Sequence, residues 1–222
     1  MDFLQVVSQI SSEVFALKKS VLLFFLCMFF IGCSKSPGSQ ETGYRGIPWG
    51  SDVGAVARVL NVTPNLSSAN SMFGSYYQDL APRQLVLLEK GFSMLLTGRS
   101  GAVLNGIGAL KGMSVLNEGR AGYSLFFNKK FGMNLHVIQA NDYQRYHDKL
   151  MKRYGVIDKK LEYRANGNES SYFIMWHDAD GVIILAKETY KTDSPHLVTS
   201  TQIIHMQKQI FDAISSDLLR AG

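Results

Sequence analysis

The run Trp176-His177-Asp178-Ala179-Asp180-Gly181 gathers an imidazole and two carboxylates into one short stretch. Such a group could ligate a metal ion or relay a proton between an acid and a base. A calcium loop would need glycine at its sixth position and glutamate at its twelfth; counted from Asp178, those places hold Ile183 and Thr189. Asp180-Gly181 between two apolar runs is what a tight hairpin asks for, so the stretch reads first as turn chemistry. His177 and Asp178 remain the pair on which an enzymatic reading would rest. The five histidines, His136, His147, His177, His196 and His205, form no His-Glu-x-x-His and no helical i, i+4 pair. "GRSGA" at 98–102 lacks the spacing of a nucleophile elbow, leaving Ser100 as a turn residue. "GIGALKG" at 106–112 has neither a third glycine in register nor the Lys-Ser/Thr of a phosphate loop. No catalytic, metal or cofactor constellation emerges, and the sequence reads as a non-catalytic protein.

Charge offers a different chemistry. The chain carries a formal net charge of +5, and its cations thicken through "DKLMKRYGVIDKKLEYR" as Lys149, Lys152, Arg153, Lys159, Lys160 and Arg164. A positive face of this kind attracts anionic lipid headgroups or polyanionic polymers. Asp148, Asp158 and Glu162 are interleaved with it, which is also the pattern of a plain solvated surface. No nucleic-acid partner is expected.

The N-terminal region bears on location. Lys18 and Lys19 precede an apolar run from Val21 to Ile31, which ends at Gly32-Cys33 before Ser, Lys, Pro and Gly. A basic region, a short apolar core and a small residue at the boundary make an export signal. The run falls short of the roughly 20 apolar residues that span a bilayer; an uncleaved anchor or a buried helix is the alternative. Phe30-Ile31-Gly32-Cys33 resembles a bacterial lipobox, with Phe30 where leucine is usual. The resemblance implies cleavage before Cys33, lipidation of its thiol and a firm three-chain membrane anchor. Ser34 resembles the residue found after the cysteine in lipoproteins sorted to the outer membrane, facing the periplasm. Asp2 and Glu13 lie ahead of the lysines and are unusual in a signal; translation from near Leu17 or a long first region would each account for them. Cys27 departs with residues 1–32 and Cys33 is acylated, so the exported domain is expected to hold no disulfide.

Residues 33–43 read as the lipidated cysteine and a flexible Ser/Gly/Pro linker. Residues 44–222 read as an α+β domain, either single or divided near 44–139 and 140–222. Ser51 or Asp52 can cap a helix bearing Val53, Val56, Val59 and Leu60, stopped by Pro64. From Leu85 to Gln139 the runs "LVLLEKGFSMLL", "GAVLNGIGAL", "YSLFF" and "MNLHVIQ" read as an antiparallel strand meander, with a turn at Asn105-Gly106 and a longer hairpin loop at "NKKFG". Asn141 or Asp142 caps a helix carrying Tyr143, Tyr146, Leu150, Met151 and Tyr154 on one face and closing at Gly155. Strands "KLEYRA", "SYFIMWH", "GVIILAKE" and "HLVTSTQIIHM" follow, then a last helix with Ile210, Phe211, Ile214 and Leu218 on one side. Strands around about three helices, without βαβ alternation, give an antiparallel meander.

Gly46-Ile47-Pro48-Trp49-Gly50, Phe127-Asn128-Lys129-Lys130, Tyr154-Gly155 and Trp176 followed by "GVIILAKE" stand in an order that resembles small exported bacterial domains with a G-I-x-W-G turn. A capped helix before a meander is also similar, more distantly, to small lipoproteins that assist outer-membrane β-barrel assembly. No functional residue follows from either resemblance. Trp49 itself is expected to pack the chain entry against the sheet, with ligand stacking as the alternative. The expected function is a lipid-anchored envelope module that engages a protein partner through a sheet edge. The alternative is a binding lipoprotein for an anionic small or polymeric ligand, with an envelope enzyme third.

Overall fold

Apolar runs too long for one-sided burial dominate the second half of the chain, and their geometry follows from a sheet covered on both faces. A computed structural model describes residues 43–68, 82–98, 112–119, 122–165, 167–192 and 196–221. Cys33, the expected export signal, the expected linker up to residue 42, Ser100 and the Asn105-Gly106 turn signal lie outside the described residues.

Helix α1 spans Val53–Leu60, and Asp52 caps it: Asp52 Oδ1 accepts from the Ala55 amide at 2.8 Å. The Ser51 hydroxyl turns instead to the Pro48 carbonyl at 2.7 Å. Asn61, in the left-handed region at φ 54°, closes α1 before Pro64 is reached. Val56 and Ala57 face inward, whereas Val59 is 59% exposed. Strand β1 (Leu66–Ser68) follows, and then α2 (Pro82–Thr97).

Helix α2 corrects the strand reading of "LVLLEKGFSMLL". Gln84, Leu87, Leu88, Gly91, Phe92, Ser93 and Leu95 are its buried residues, the apolar ones recurring at three and four, and Pro82 takes the first helical position that proline favours. A short apolar run is ambiguous by itself, and the length of the segment favours a helix. A β-carbon at Gly91 would collide with the Ser171 hydroxyl and the Phe173 ring. This is the point where α2 crosses the sheet.

Next come β2 (Ser114–Gly119), β3 (Gly122–Phe127), β4 (Lys130–Ile138), a 3-10 turn (Ala140–Asp142) and α3 (Tyr143–Tyr154). The remaining elements are β5 (Lys159–Arg164), β6 (Ser170–His177), β7 (Gly181–Lys191), β8 (Leu197–Gln207) and α4 (Lys208–Ala221). The β3–β4 connection is tighter than the longer loop expected from "NKKFG". Phe127 pairs with Lys130, and Asn128 and Lys129 take φ 50° and 65°, the geometry of a two-residue type I′ turn. Helix α3 closes at Gly155 as expected, but neither Asn141 nor Asp142 supplies a side-chain cap; the preceding 3-10 turn leads into it.

The eight strands of the described residues join one antiparallel sheet in the order β1-β2-β3-β4-β8-β7-β6-β5. The fold is therefore the expected α+β meander, with four α-helices among the described residues. Residues 44–139 contribute one four-stranded meander and 140–222 the other. The seam between them is β4 against β8, in register from Met133 opposite Met206 to Ile138 opposite Thr201. Glu41–Gly222 form one compact unit.

One sheet face carries Leu125, Met133, Leu135, Phe173, Val182, Ile184, Ile204 and Met206 beneath α2 and α4, in the largest apolar cluster. The opposite face is divided. Helix α1 covers Leu116, Phe126 and Phe131, and α3 covers Ile174, Trp176, Ile183, Leu185 and Ile203. Strand β7 is sandwiched between the two layers, and Val182 to Ala186 are buried on both faces. This explains the unbroken "VIILA", since alternation disappears when both faces of a strand are covered. No described helix is long and apolar enough to cross a membrane.

Candidate functional site

Between the patches under α1 and α3 the sheet face turns polar. Glu118 on β2, Ser124 on β3, and Asn134 and His136 on β4 lie along this strip, and His205 on β8 stands opposite Asn134. Glu118 Oε1 accepts from the Ser124 hydroxyl and from Asn134 Nδ2, both at 2.5 Å. Burial raises the Glu118 carboxyl above its ordinary range, while those bonds and the nearby Arg45 act in the opposite direction.

A cleft of about 180 Å³ opens above the β4–β8 seam. His136, Ile203 and His205 line its floor. Tyr146, Lys149, Leu150, Arg153 and Tyr154 form one wall from a single stripe of α3, as spacings of three and four dictate. Tyr44 and Arg45 form the other wall. The entry segment holds those two residues on a tight turn. Tyr44 and Ile47 exchange backbone hydrogen bonds at 3.0 and 2.9 Å, with Arg45 at φ 51° and Gly46 at φ 75° between them. Glycine accepts that conformation without strain, whereas a side chain pays roughly 1 kcal/mol or more for it. Arg45 is held there with its guanidinium 5.0 Å from the Tyr44 ring centre.

The floor histidines are pushed toward the neutral form. Burial first, then Arg153 and Arg45, lower His205 to about 3. Burial and Arg45 also lower His136. Tyr44 packs on His205 with ring centres 5.0 Å apart, and burial raises its hydroxyl to about 12. Arg153 lies over the Tyr154 ring at 5.3 Å. The arrangement puts three basic side chains on two walls, above imidazoles held toward the neutral form.

The basic residues expected to share one face are dispersed by the fold. Lys149 and Arg153 line the cleft, and Lys152 is an exposed residue of the same helix. Lys160 and Arg164 alternate outward on β5, where Arg164 Nε pairs with Glu162 at 2.9 Å. Lys159 points to the other side and donates to the Leu95 carbonyl of α2. Sequence reasoning missed Arg45, Tyr44, His136 and His205 as a group. Two of them carried a usable signal: both histidines interrupt apolar strands, in "NLHVI" and "QIIHM".

The run at 176–181 is the hairpin that its sequence predicted, with the Asp178 amide donating to the Gly181 carbonyl at 2.8 Å. Asp178 Oδ1 accepts from its neighbour, the Ala179 amide, at 2.8 Å. His177 pairs with Asp158 instead, at 3.1 Å, edge-on to Phe211 at 5.9 Å between ring centres. Among the described residues, no three His, Cys, Asp or Glu side chains come together as a metal-ligand set. Trp49 is half-buried and packs on Phe131 at 5.1 Å between ring centres, the core role expected of it.

No family model matches this chain, and no curated protein or solved structure matches it either.

Proposed function

We propose that this protein is a lipid-anchored envelope receptor that binds a small anionic ligand in the cleft between α3 and the entry turn. The observation that carries the reading is the convergence of Arg45, Lys149 and Arg153 over His136 and His205. The cations attract an anion, and imidazoles that are neutral in the free protein spare it the desolvation cost of two further buried charges. Cys33 provides the anchor, and the residues up to 43 provide a tether.

Calorimetric titration of the full chain with phosphate, sulfate and succinate, at low and at high salt, tests the reading. Binding of at least one anion, weakened by salt and abolished in the double variant Lys149→Ala/Arg153→Ala, is the expected result. Three anions that all fail to bind would remove the proposal.

A second reading draws on β5, which ends the sheet with no strand on its outer side among the described residues. An edge of that kind can accept an extended segment of a partner protein. Its outward Lys160, Glu162 and Arg164 would oppose like charges if two copies paired antiparallel about Glu162, which favours a different protein over a second copy. Cross-linking from β5 in the native envelope would recover that partner; capture of none from any β5 position counts against it.

A further inference from the structure

The cleft's donors approach from three directions, and this constrains the shape of what they hold. Arg45 comes from the entry turn, Lys149 and Arg153 come from the facing helix, and His136 and His205 rise from the floor. A planar carboxylate is served best by one bidentate guanidinium lying in its plane. A phosphate monoester presents three acceptor oxygens around a tetrahedral centre and carries a charge of about −1.5 to −2, which matches donors from two facing walls and a floor. The remaining lining is apolar or aromatic: Tyr44, Tyr146, Leu150, Tyr154 and Ile203. At about 30 Å³ per water, a space of about 180 Å³ admits a phosphate and a short organic group. The rest of a larger ligand would project into solvent.

Resting on the anion-receptor reading, we infer that the cleft recognises a phosphate monoester dianion and takes a proton onto the His136 imidazole as it binds. The titratable and charged groups that line the cleft with His136 are Tyr44 and Arg45 on the entry turn, Tyr146, Lys149, Arg153 and Tyr154 on α3, and His205 on β8. Glu118 on β2 lies near Arg45. In the free protein, burial and Arg45 hold His136 below its ordinary value. A dianion beside Arg45 reverses that field and favours the imidazolium, so binding draws a proton from solvent and tightens as pH falls. His205 lies deeper and stays neutral, donating a hydrogen bond.

The strained turn gives a variant that separates binding from folding. Glycine relaxes the left-handed position at 45, so Arg45→Gly is expected to leave stability unchanged or raised while weakening affinity about ten- to a hundredfold, the scale of one charged hydrogen bond. His136→Gln keeps a donor and removes the titration, so proton uptake is lost and affinity falls.

The test is calorimetry on the full chain at about pH 7, above the second phosphate ionisation near 6, in two buffers of different ionisation enthalpy. The soluble probes are glycerol 3-phosphate, methyl sulfate and succinate; a fourth is a phosphatidylcholine vesicle carrying phosphatidic acid. Glycerol phosphate bound in preference to the other soluble probes, with proton uptake lost in His136→Gln, supports the inference and assigns a free monoester. Binding confined to the phosphatidic acid vesicles, with the same losses in both variants, supports it and assigns a lipid headgroup. Equal binding of methyl sulfate or succinate, or glycerol phosphate binding without proton uptake, overturns it and leaves the anion-receptor reading standing. Absence of binding by every probe overturns both.

Discussion

Asn134 and His205 face each other across the β4–β8 seam, so the polar floor of the cleft is built where the two meanders join. Asn134 Nδ2 donates to Glu118 and also to the Tyr123 carbonyl at 3.2 Å. Ser124 completes the support of the Glu118 carboxylate. The strip is thus braced on the α1 side by hydrogen bonds and on the α3 side by the Tyr44–His205 ring contact.

Removing that brace has a defined cost. Asn134→Ala withdraws one of the two side-chain donors from a largely buried carboxylate and should destabilise the fold by about 2 kcal/mol. It should also raise the Glu118 carboxyl further, because the lost bond favours the charged form. Urea unfolding at neutral and acidic pH measures both: the loss of stability in the variant should shrink at acidic pH, where the carboxyl is neutral.

Gly91 marks the closest approach of α2 to the sheet, where the Ser171 hydroxyl donates to the Leu87 carbonyl at 3.0 Å. Gly91→Ala gains helix propensity but forces a methyl against Ser171 and Phe173. Overpacking should win, with a net loss of about 1–3 kcal/mol. Combining it with Ser171→Gly should recover part of the loss, read as a shift in the unfolding midpoint.

Glu188 is fully buried beneath α2, accepting from Gln202 Nε2 at 2.9 Å and Gln84 Nε2 at 3.4 Å. Burial raises its carboxyl from 4.5 to about 8, against the pull of those two donors. The folded protein then keeps a proton that the unfolded chain has already released between those values. Its stabilising effect is complete below about 4.5, declines as pH rises and is lost at about 8. Glu188→Gln should flatten this decline, making the variant more stable than the parent at alkaline pH by on the order of a few kcal/mol. Denaturation curves across pH check the slope; an unchanged slope in the variant would show that Glu188 is charged in the folded protein.

Cys33 carries the localisation proposal. Cys33→Ser should abolish incorporation of labelled palmitate and move the protein from the membrane fraction to the soluble fraction, with the unfolding midpoint of the soluble variant indicating an intact domain. Unlabelled wild-type protein would remove the anchor from the proposal.

The sequence by itself determined the elements whose signals are local. Helix α3 follows from its tyrosine stripe and Gly155, the β6–β7 hairpin from Asp180-Gly181, and the start of α1 from a capping aspartate. Alternation on β5 and continuous apolarity on β7 fit an edge strand and a sandwiched one once the sheet order is known. Only the tertiary structure decided the rest. Helix α2 has local signals in its spacing and in Pro82, but the reason for Gly91 lies in a crossing over Ser171 and Phe173, residues far along the chain. The basic residues of 149–164 looked like one group, yet a helix and a strand separate them, and the two-residue period sends Lys159 through to the opposite face. The cleft depends on register: β4 beside β8 brings His136 and His205 together, and a left-handed turn swings Arg45 over them. Those relations arise from pairing between distant segments, and local periodicity carries no record of it.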